Sequence, residues 1–126
     1  MSIDWDKNKN VVEDLFQVIG RTPLVKLRKI PKAEGVDADI LGKVEYFNPT
    51  GSLKDRIYYE MITKAIEAGE LKPEMELIEA STGNAGVACA FVGGRLSYKV
   101  TIVMPEGMSE ERKKIMRAYG AEIIFT

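Results

Sequence analysis

The chain has 126 residues, 45% of them hydrophobic, which is the length and composition of one domain with a single continuous core. Its formal net charge is −1, so no basic excess exists to hold nucleic acid or an anionic membrane surface. Histidine is absent, which excludes histidine triads, imidazole bases and the common zinc sites and leaves catalysis to lysine, carboxylate, hydroxyl or a cofactor.

The N-terminus, Met1-Ser2-Ile3-Asp4-Trp5-Asp6, is acidic and interrupted by charges, and no apolar run approaches the length of a membrane span; the expected location is the cytoplasm. Residues 1–10 are expected to fray, with one short helical turn over Val11 to Leu15. Leu24-Val25-Lys26-Leu27 follows the turn signal Gly20-Arg21-Thr22-Pro23 and reads as an edge strand. A loop is expected from Pro31 to Asp37, then a strand over residues 39–45 that ends at Asn48-Pro49. From Ser52 to Ala68 the residues Leu53, Ile57, Met61, Ile62, Ala65 and Ile66 recur at helical spacing until Gly69 and Pro73 stop them.

Leu77-Ile78-Glu79-Ala80 reads as a short strand, and Asn84 to about Leu96 as a helix of small residues able to pack closely on a sheet. The single cysteine, Cys89, lies in its apolar run, which excludes an intramolecular disulfide and suits a reducing compartment. Val100-Thr101-Ile102-Val103-Met104 is a β-branched strand stopped by Pro105. Ser109 is an N-cap, Glu110 and Glu111 fill a first turn, Lys113, Lys114 and Arg117 follow, and Gly120 closes that helix. Glu122-Ile123-Ile124-Phe125 is the last strand. This alternation predicts an α/β fold: a parallel four-stranded sheet with helices on both faces, built on right-handed crossovers. A parallel strand with no helix after it gives the expectation of a truncated chain.

Two loops carry chemistry. Asn48-Pro49-Thr50-Gly51-Ser52-Leu53-Lys54-Asp55-Arg56 places Lys54 at the start of a helix, where the dipole disfavours an ammonium relative to the neutral amine and Arg56 adds positive charge. The plainer alternative is a capped helix with a solvated first-turn lysine. Ser81-Thr82-Gly83-Asn84-Ala85-Gly86 joins a strand to a helix, and its hydroxyls and free backbone N–H groups suit a carboxylate or phosphate. An ordinary cap and turn accounts for it equally well. Neither loop is a Walker A sequence or a dinucleotide fingerprint, so nucleotide binding has no support. After parallel strands, both loops would face one crevice.

Taken together, Ile19-Gly20-Arg21-Thr22-Pro23-Leu24-Val25, Lys43-Val44-Glu45, residues 48–56, Ser81 to Asn84, and Val103-Met104-Pro105-Glu106 with Met108-Ser109 resemble, in order and spacing, the fold-type II pyridoxal-phosphate (PLP) enzymes. The resemblance is to the cysteine synthase (O-acetylserine sulfhydrylase) and cystathionine β-synthase family and spans about Val11 to Thr126. It implies that Lys54 is the Schiff-base lysine for pyridoxal 5'-phosphate, that Asn84 binds the cofactor's phenolic oxygen, and that Ser81, Thr82, Gly83 and Asn84 receive the substrate α-carboxylate. The implied reaction is β-replacement on an O-activated serine by sulfide or a thiol, with PLP as electron sink and the lysine moving the α-proton.

Cysteine synthases usually spell the second loop Thr-Ser-Gly-Asn-Thr. Ser81-Thr82-Gly83-Asn84-Ala85 is nearer to threonine synthase and to serine or threonine dehydratases, which keeps that second enzymatic reading open. The resemblance also implies two divisions, an N-terminal arm with an edge strand over residues 1–35 and a small α/β domain over 36–126. The family's phosphate cup belongs to a large domain absent from this sequence, so PLP is expected to bind weakly or not at all in the isolated fragment, which would be catalytically incomplete. The expected partner is a small amino-acid substrate. Open strand edges predict a homo-oligomer, and a non-catalytic self-associating domain is the third hypothesis.

Overall fold

The structure, a computed structural model, describes residues 11–126, so the expectation of a frayed start at 1–10 lies outside the described residues. A short 3-10 turn at Leu15–Val18 leads to β1 (Leu24–Leu27), α1 (Lys29–Ala33) and β2 (Ile40–Lys43). A second 3-10 turn, Glu45–Phe47, precedes α2 (Lys54–Glu67). Then β3 (Glu76–Ala80), α3 (Asn84–Arg95), β4 (Lys99–Met104), α4 (Glu110–Ala118) and β5 (Glu122–Phe125) alternate to the end.

The fold class is α/β as expected, but the parallel sheet has three strands, in the order β3-β4-β5, and not four. The missing member is β2, which pairs antiparallel with β1, Leu24 opposite Lys43 and Leu27 opposite Ile40. Strand order in sequence shows only that a strand exists; its partner depends on contacts that alternation does not encode. The segment 31–37, read as a loop, contributes the end of α1, and its Pro31 is buried.

Register explains the layering. In β4, Val100, Ile102 and Met104 point to one face and alternate with Thr101 and Val103. Parallel pairing sets Leu77 beside Val100 and Ile102 beside Ile123, so these side chains share a face. Helix α3 lies on that face so closely that a Cβ on Gly93 would stand 2.5 Å from Val100 Cγ2 and 2.7 Å from Leu77 Cδ1. Met116 of α4 is fully buried in the same core as Ala88, Ala90, Val92, Val100 and Ile102. Each fully buried Val, Ile or Met side chain contributes about 1.5–3 kcal/mol.

The opposite face is not covered as expected. Ile78 and Ile124, on that face, are 67% and 54% exposed, because α2 packs on α3 and α4 on α3 and β5 instead of crossing behind the sheet. Helix α4 begins as its sequence requires, Ser109 Oγ accepting from the Arg112 N–H at 3.4 Å, and ends at Gly120 with φ +88°.

Candidate functional site

The first loop is set by a polar network that reaches well beyond it. Asn48 is buried; its Oδ1 accepts from the Gly20 N–H at 2.8 Å, and its Nδ2 donates to the Glu45 carbonyl at 2.8 Å and to Glu45 Oε2 at 2.7 Å. Arg56 Nε donates to Glu45 Oε2 at 2.9 Å and Arg56 Nη2 to Thr22 Oγ1 at 3.1 Å. Lys43 Nζ donates to the Thr22 carbonyl. Asp55 is completely buried and accepts from the Thr50 N–H at 2.7 Å and from the Thr50 hydroxyl, closing the turn from inside.

The electrostatics follow from those contacts. The Arg56 guanidinium, aided by Asn48, holds the Glu45 carboxyl below the usual carboxylate range against the opposing effect of burial. Burial pushes the Asp55 carboxyl up, and its two bonds from Thr50 oppose the rise. Arg56 was expected to add positive charge beside Lys54. Its charge is instead engaged by Glu45, a partner 11 residues earlier, and its second hydrogen bond goes to Thr22.

Lys54 is the first residue of α2, as expected, and its backbone N–H donates to Ser52 Oγ at 3.1 Å. Asn84 is the first residue of α3. The N-cap before it is Gly83, which supplies no side-chain cap. The first-turn N–H groups of a helix have no intrahelical acceptor, so here they remain available. Ser81 Oγ accepts from the Gly83 N–H at 3.2 Å. Gly83 has φ −134°, an extended conformation open to any residue, and a Cβ there would meet nothing within 4 Å. Neither its backbone nor a neighbour in this chain demands glycine.

One contact links the helix after the first loop to the strand before the second. Tyr58, one turn along α2 from Lys54, sets its hydroxyl against the Glu79 carboxylate two residues before Ser81. Burial first, then that carboxylate, raise the Tyr58 phenol above its ordinary value. Burial and the same Glu79 charge push the Cys89 thiol up to about 12, which makes it a core residue and not a nucleophile. At the C-terminal ends of the three parallel strands a cavity of about 500 Å³ is lined by residues 80–82, 103–105 and Thr126, a lining that includes Ser81 and Thr82 but not Lys54, Gly83 or Asn84. Among the described residues, no hydrogen bond or ion pair joins Lys54 directly to residues 81–84.

Among the described residues, Lys54 Nζ and the Asn84 side-chain amide have no hydrogen-bond or ion-pair partner, whereas Asn48, Asp55, Arg56 and Glu45 are all engaged. A free amine, a free amide, uncapped helix N–H groups and an open space over Gly83 together suit a flat cofactor bearing an aldehyde and a phenolic oxygen beside an amino-acid carboxylate. PLP fits that donor set. The network of Thr22, Glu45, Asn48 and Arg56 escaped sequence reasoning, although Gly20-Arg21-Thr22 and Glu45 stood within the motifs.

Comparison with known proteins agrees. A family model described as pyridoxal-phosphate dependent enzyme matches residues 15–126. The chain belongs to the pyridoxal-phosphate dependent enzymes. A curated cysteine synthase from Staphylococcus aureus (strain Mu50 / ATCC 700699) is 45% identical over 115 residues, 91% of this chain and 36% of that protein. A cystathionine beta-synthase from Apis mellifera is 46% identical over 116 residues, covering 92% of this chain and 23% of the relative. Among solved structures, the cysteine synthase (OASS) of Entamoeba histolytica superposes with a TM-score of 0.89 at 41% identity, over 100% of this chain and 38% of that one. This PLP-enzyme chain therefore spans little more than a third of the cysteine synthases it matches. Among its described residues, no helix is long and apolar enough to cross a membrane.

Proposed function

We propose that this chain supplies the cofactor lysine and the substrate loop for a cysteine synthase-like β-replacement, in which an O-activated serine exchanges its β-substituent for sulfide or a thiol. The observation that carries the reading is the contrast between the free Lys54 Nζ and Asn84 amide and the engaged polar groups that hold their backbone. PLP, when bound, supplies an electron sink for the carbanion at the substrate α-carbon. Lys54 would hold the cofactor through Nζ and move the α-proton, and the Asn84 amide would bind the phenolic oxygen. The hydroxyls of Ser81 and Thr82 and the first N–H groups of α3 would receive the carboxylate, with Gly83 leaving room for its approach.

The relatives named cysteine synthase support this choice of reaction. The Ser81-Thr82 spelling favours dehydration as the competing reaction, and release of a 2-oxo acid where cysteine (from sulfide) or a thioether (from a thiol) is expected would adopt it. The cofactor is held weakly by this chain, since the described residues present no glycine-rich cup for its phosphate beyond the N–H groups assigned to the carboxylate. A yellow colour that survives exhaustive dialysis would refute that point.

The same proposal places the protein in the cytoplasm, as a free buried thiol suits, and makes it a homo-oligomer that covers Ile78 and Ile124. A monodisperse monomer in light scattering would remove the oligomer. The assignment of Lys54 is tested by incubation with PLP, borohydride reduction and peptide mapping. The pyridoxyl mass should fall on the peptide containing Lys54 and vanish in Lys54→Ala without change of fold. Label on Lys43 or Lys64 instead overturns it.

A further inference from the structure

Helix α4 reaches back to the substrate loop through a contact that the proposed reaction does not itself require. Arg112, in its first turn, donates from Nη1 to the Thr82 carbonyl at 2.8 Å across 30 positions of sequence. That carbonyl belongs to the same peptide plane as the Gly83 N–H, whose own bond goes to Ser81 Oγ at 3.2 Å. One plane is thus held at both ends. On the far side of Gly83, its carbonyl accepts from the Val87 N–H at 3.3 Å, so the path of the chain into α3 is set and the N–H groups of residues 84–86 are aimed out of the helix.

Without Arg112 the plane would keep only a neutral bond between residues two apart. The base of the arginine is firm: Met116, one turn on, is fully buried, and the adjacent Lys113 donates to the Glu106 carbonyl at 2.7 Å and to Glu110 Oε1 at 2.8 Å. The first turn of α4 therefore ties down both the loop after β3 and the loop after β4, each through a charged donor to a backbone carbonyl.

We infer that Arg112 is a positioning residue for carboxylate recognition: it orients the Thr82–Gly83 peptide so that the first N–H groups of α3 converge on the substrate. The inference rests on the proposed use of this loop. Its separate content is that Arg112 affects amino-acid binding and leaves PLP binding, which depends on Lys54 and Asn84, nearly unchanged.

The test compares the 126-residue chain with Arg112→Met, which keeps the apolar stem, and Arg112→Lys, which keeps a donor. Hydrogen exchange at the Gly83 amide, the bonded one, should quicken about tenfold in Arg112→Met, recover largely in Arg112→Lys, and leave the Ile102 amide unchanged. Unaltered exchange at Gly83 overturns the inference. Titration with O-acetyl-L-serine in the presence of PLP, read at the amides of residues 84–86, should show the half-saturating concentration rising about tenfold in Arg112→Met, with less than about a twofold change for PLP alone. Equal loss for both ligands, or for neither, also overturns it. If the unsubstituted chain responds to neither ligand, the proposed function fails and the exchange measurement alone decides whether Arg112 sets the loop.

Discussion

The two loops that begin α2 and α3 are built on opposite principles. Residues 48–53 are held by side chains drawn from across the N-terminal half: Asn48 reaches Gly20, Arg56 reaches Thr22 and Glu45, and Asp55 fills the turn from within. Residues 81–83 are held at their two ends by backbone bonds to Val103 and Val87, and between them by one local bond to Ser81 Oγ and by Arg112, with open space above Gly83. A covalent anchor for a cofactor needs a fixed backbone, whereas a loop that takes up and releases a substrate needs room and adjustable N–H groups. Damage to the first loop should therefore cost stability, and damage to the second should cost binding.

The largest effect is expected at Asp55. Its carboxylate is completely buried with Thr50 as its donor, and removing it leaves those donors unpaired inside the protein. Asp55→Ala should destabilise the chain by about 2–4 kcal/mol in urea unfolding. A loss below about 0.5 kcal/mol would mean that the turn does not depend on this residue. Next comes Gly20, at φ +82°, where a Cβ would stand 2.7 Å from Arg56 Nη1. Gly20→Ala should lose about 1–2 kcal/mol through backbone strain and displacement of the arginine. Combined with Arg56→Met its effect should be less than additive, since the displaced group is then gone.

Local pattern made much of this legible, and distance hid the rest. The starts of α2 and α3 follow to within a few residues from turn signals and apolar spacing, and that of α4 from the Ser109 cap. The strand character of Val100 to Met104 follows from β-branching and the proline behind it. The pairing of β2 with β1 was not legible, because an isolated strand carries no address for its partner. Nor was the bond of Arg56 to Thr22, 34 positions away, or the pairing of Arg56 with Glu45, which changes the charge expected near Lys54. Lys54, Asn84 and residues 81–83, the proposed site, could be placed at helix starts from local pattern, while the residues that orient them act through the fold.

A smaller effect is expected from acid. Because Arg56 lowers the Glu45 carboxyl below its ordinary 4.5, the folded chain binds that proton less readily than the unfolded one. The pair's contribution is thus complete above the unfolded value and is lost as pH falls through the folded one. Asp55 has the opposite sign: burial raises its carboxyl above 3.8, so its ionisation costs stability as pH rises through that range. Arg56→Met should lose about 1 kcal/mol at neutral pH, the pair being partly exposed, and should lose less as the pH is lowered below about 4.5. Urea midpoints of both proteins that run parallel down to about pH 3 would show that the arginine does not act through Glu45.

The smallest change in stability, and the sharpest separation of the two loops, is expected at Gly83. Its φ of −134° is accessible to alanine, and the added methyl meets nothing within 4 Å, so neither strain nor a clash in this chain opposes it. Gly83→Ala should shift unfolding by no more than about 0.5 kcal/mol. The space the methyl occupies is nevertheless the approach proposed for the substrate carboxylate, so O-acetyl-L-serine binding should weaken by about tenfold or more while borohydride still fixes PLP to Lys54. Asn84→Ala should differ by altering the absorbance of bound PLP, because the amide is proposed to meet the cofactor itself. If Gly83→Ala unfolds the protein as readily as Asp55→Ala, the second loop is structural and the contrast between the two helix starts disappears. If it leaves the amino acid bound as tightly as before, the open space over Gly83 is not where the substrate enters, and the carboxylate must be held by the Ser81 and Thr82 hydroxyls alone.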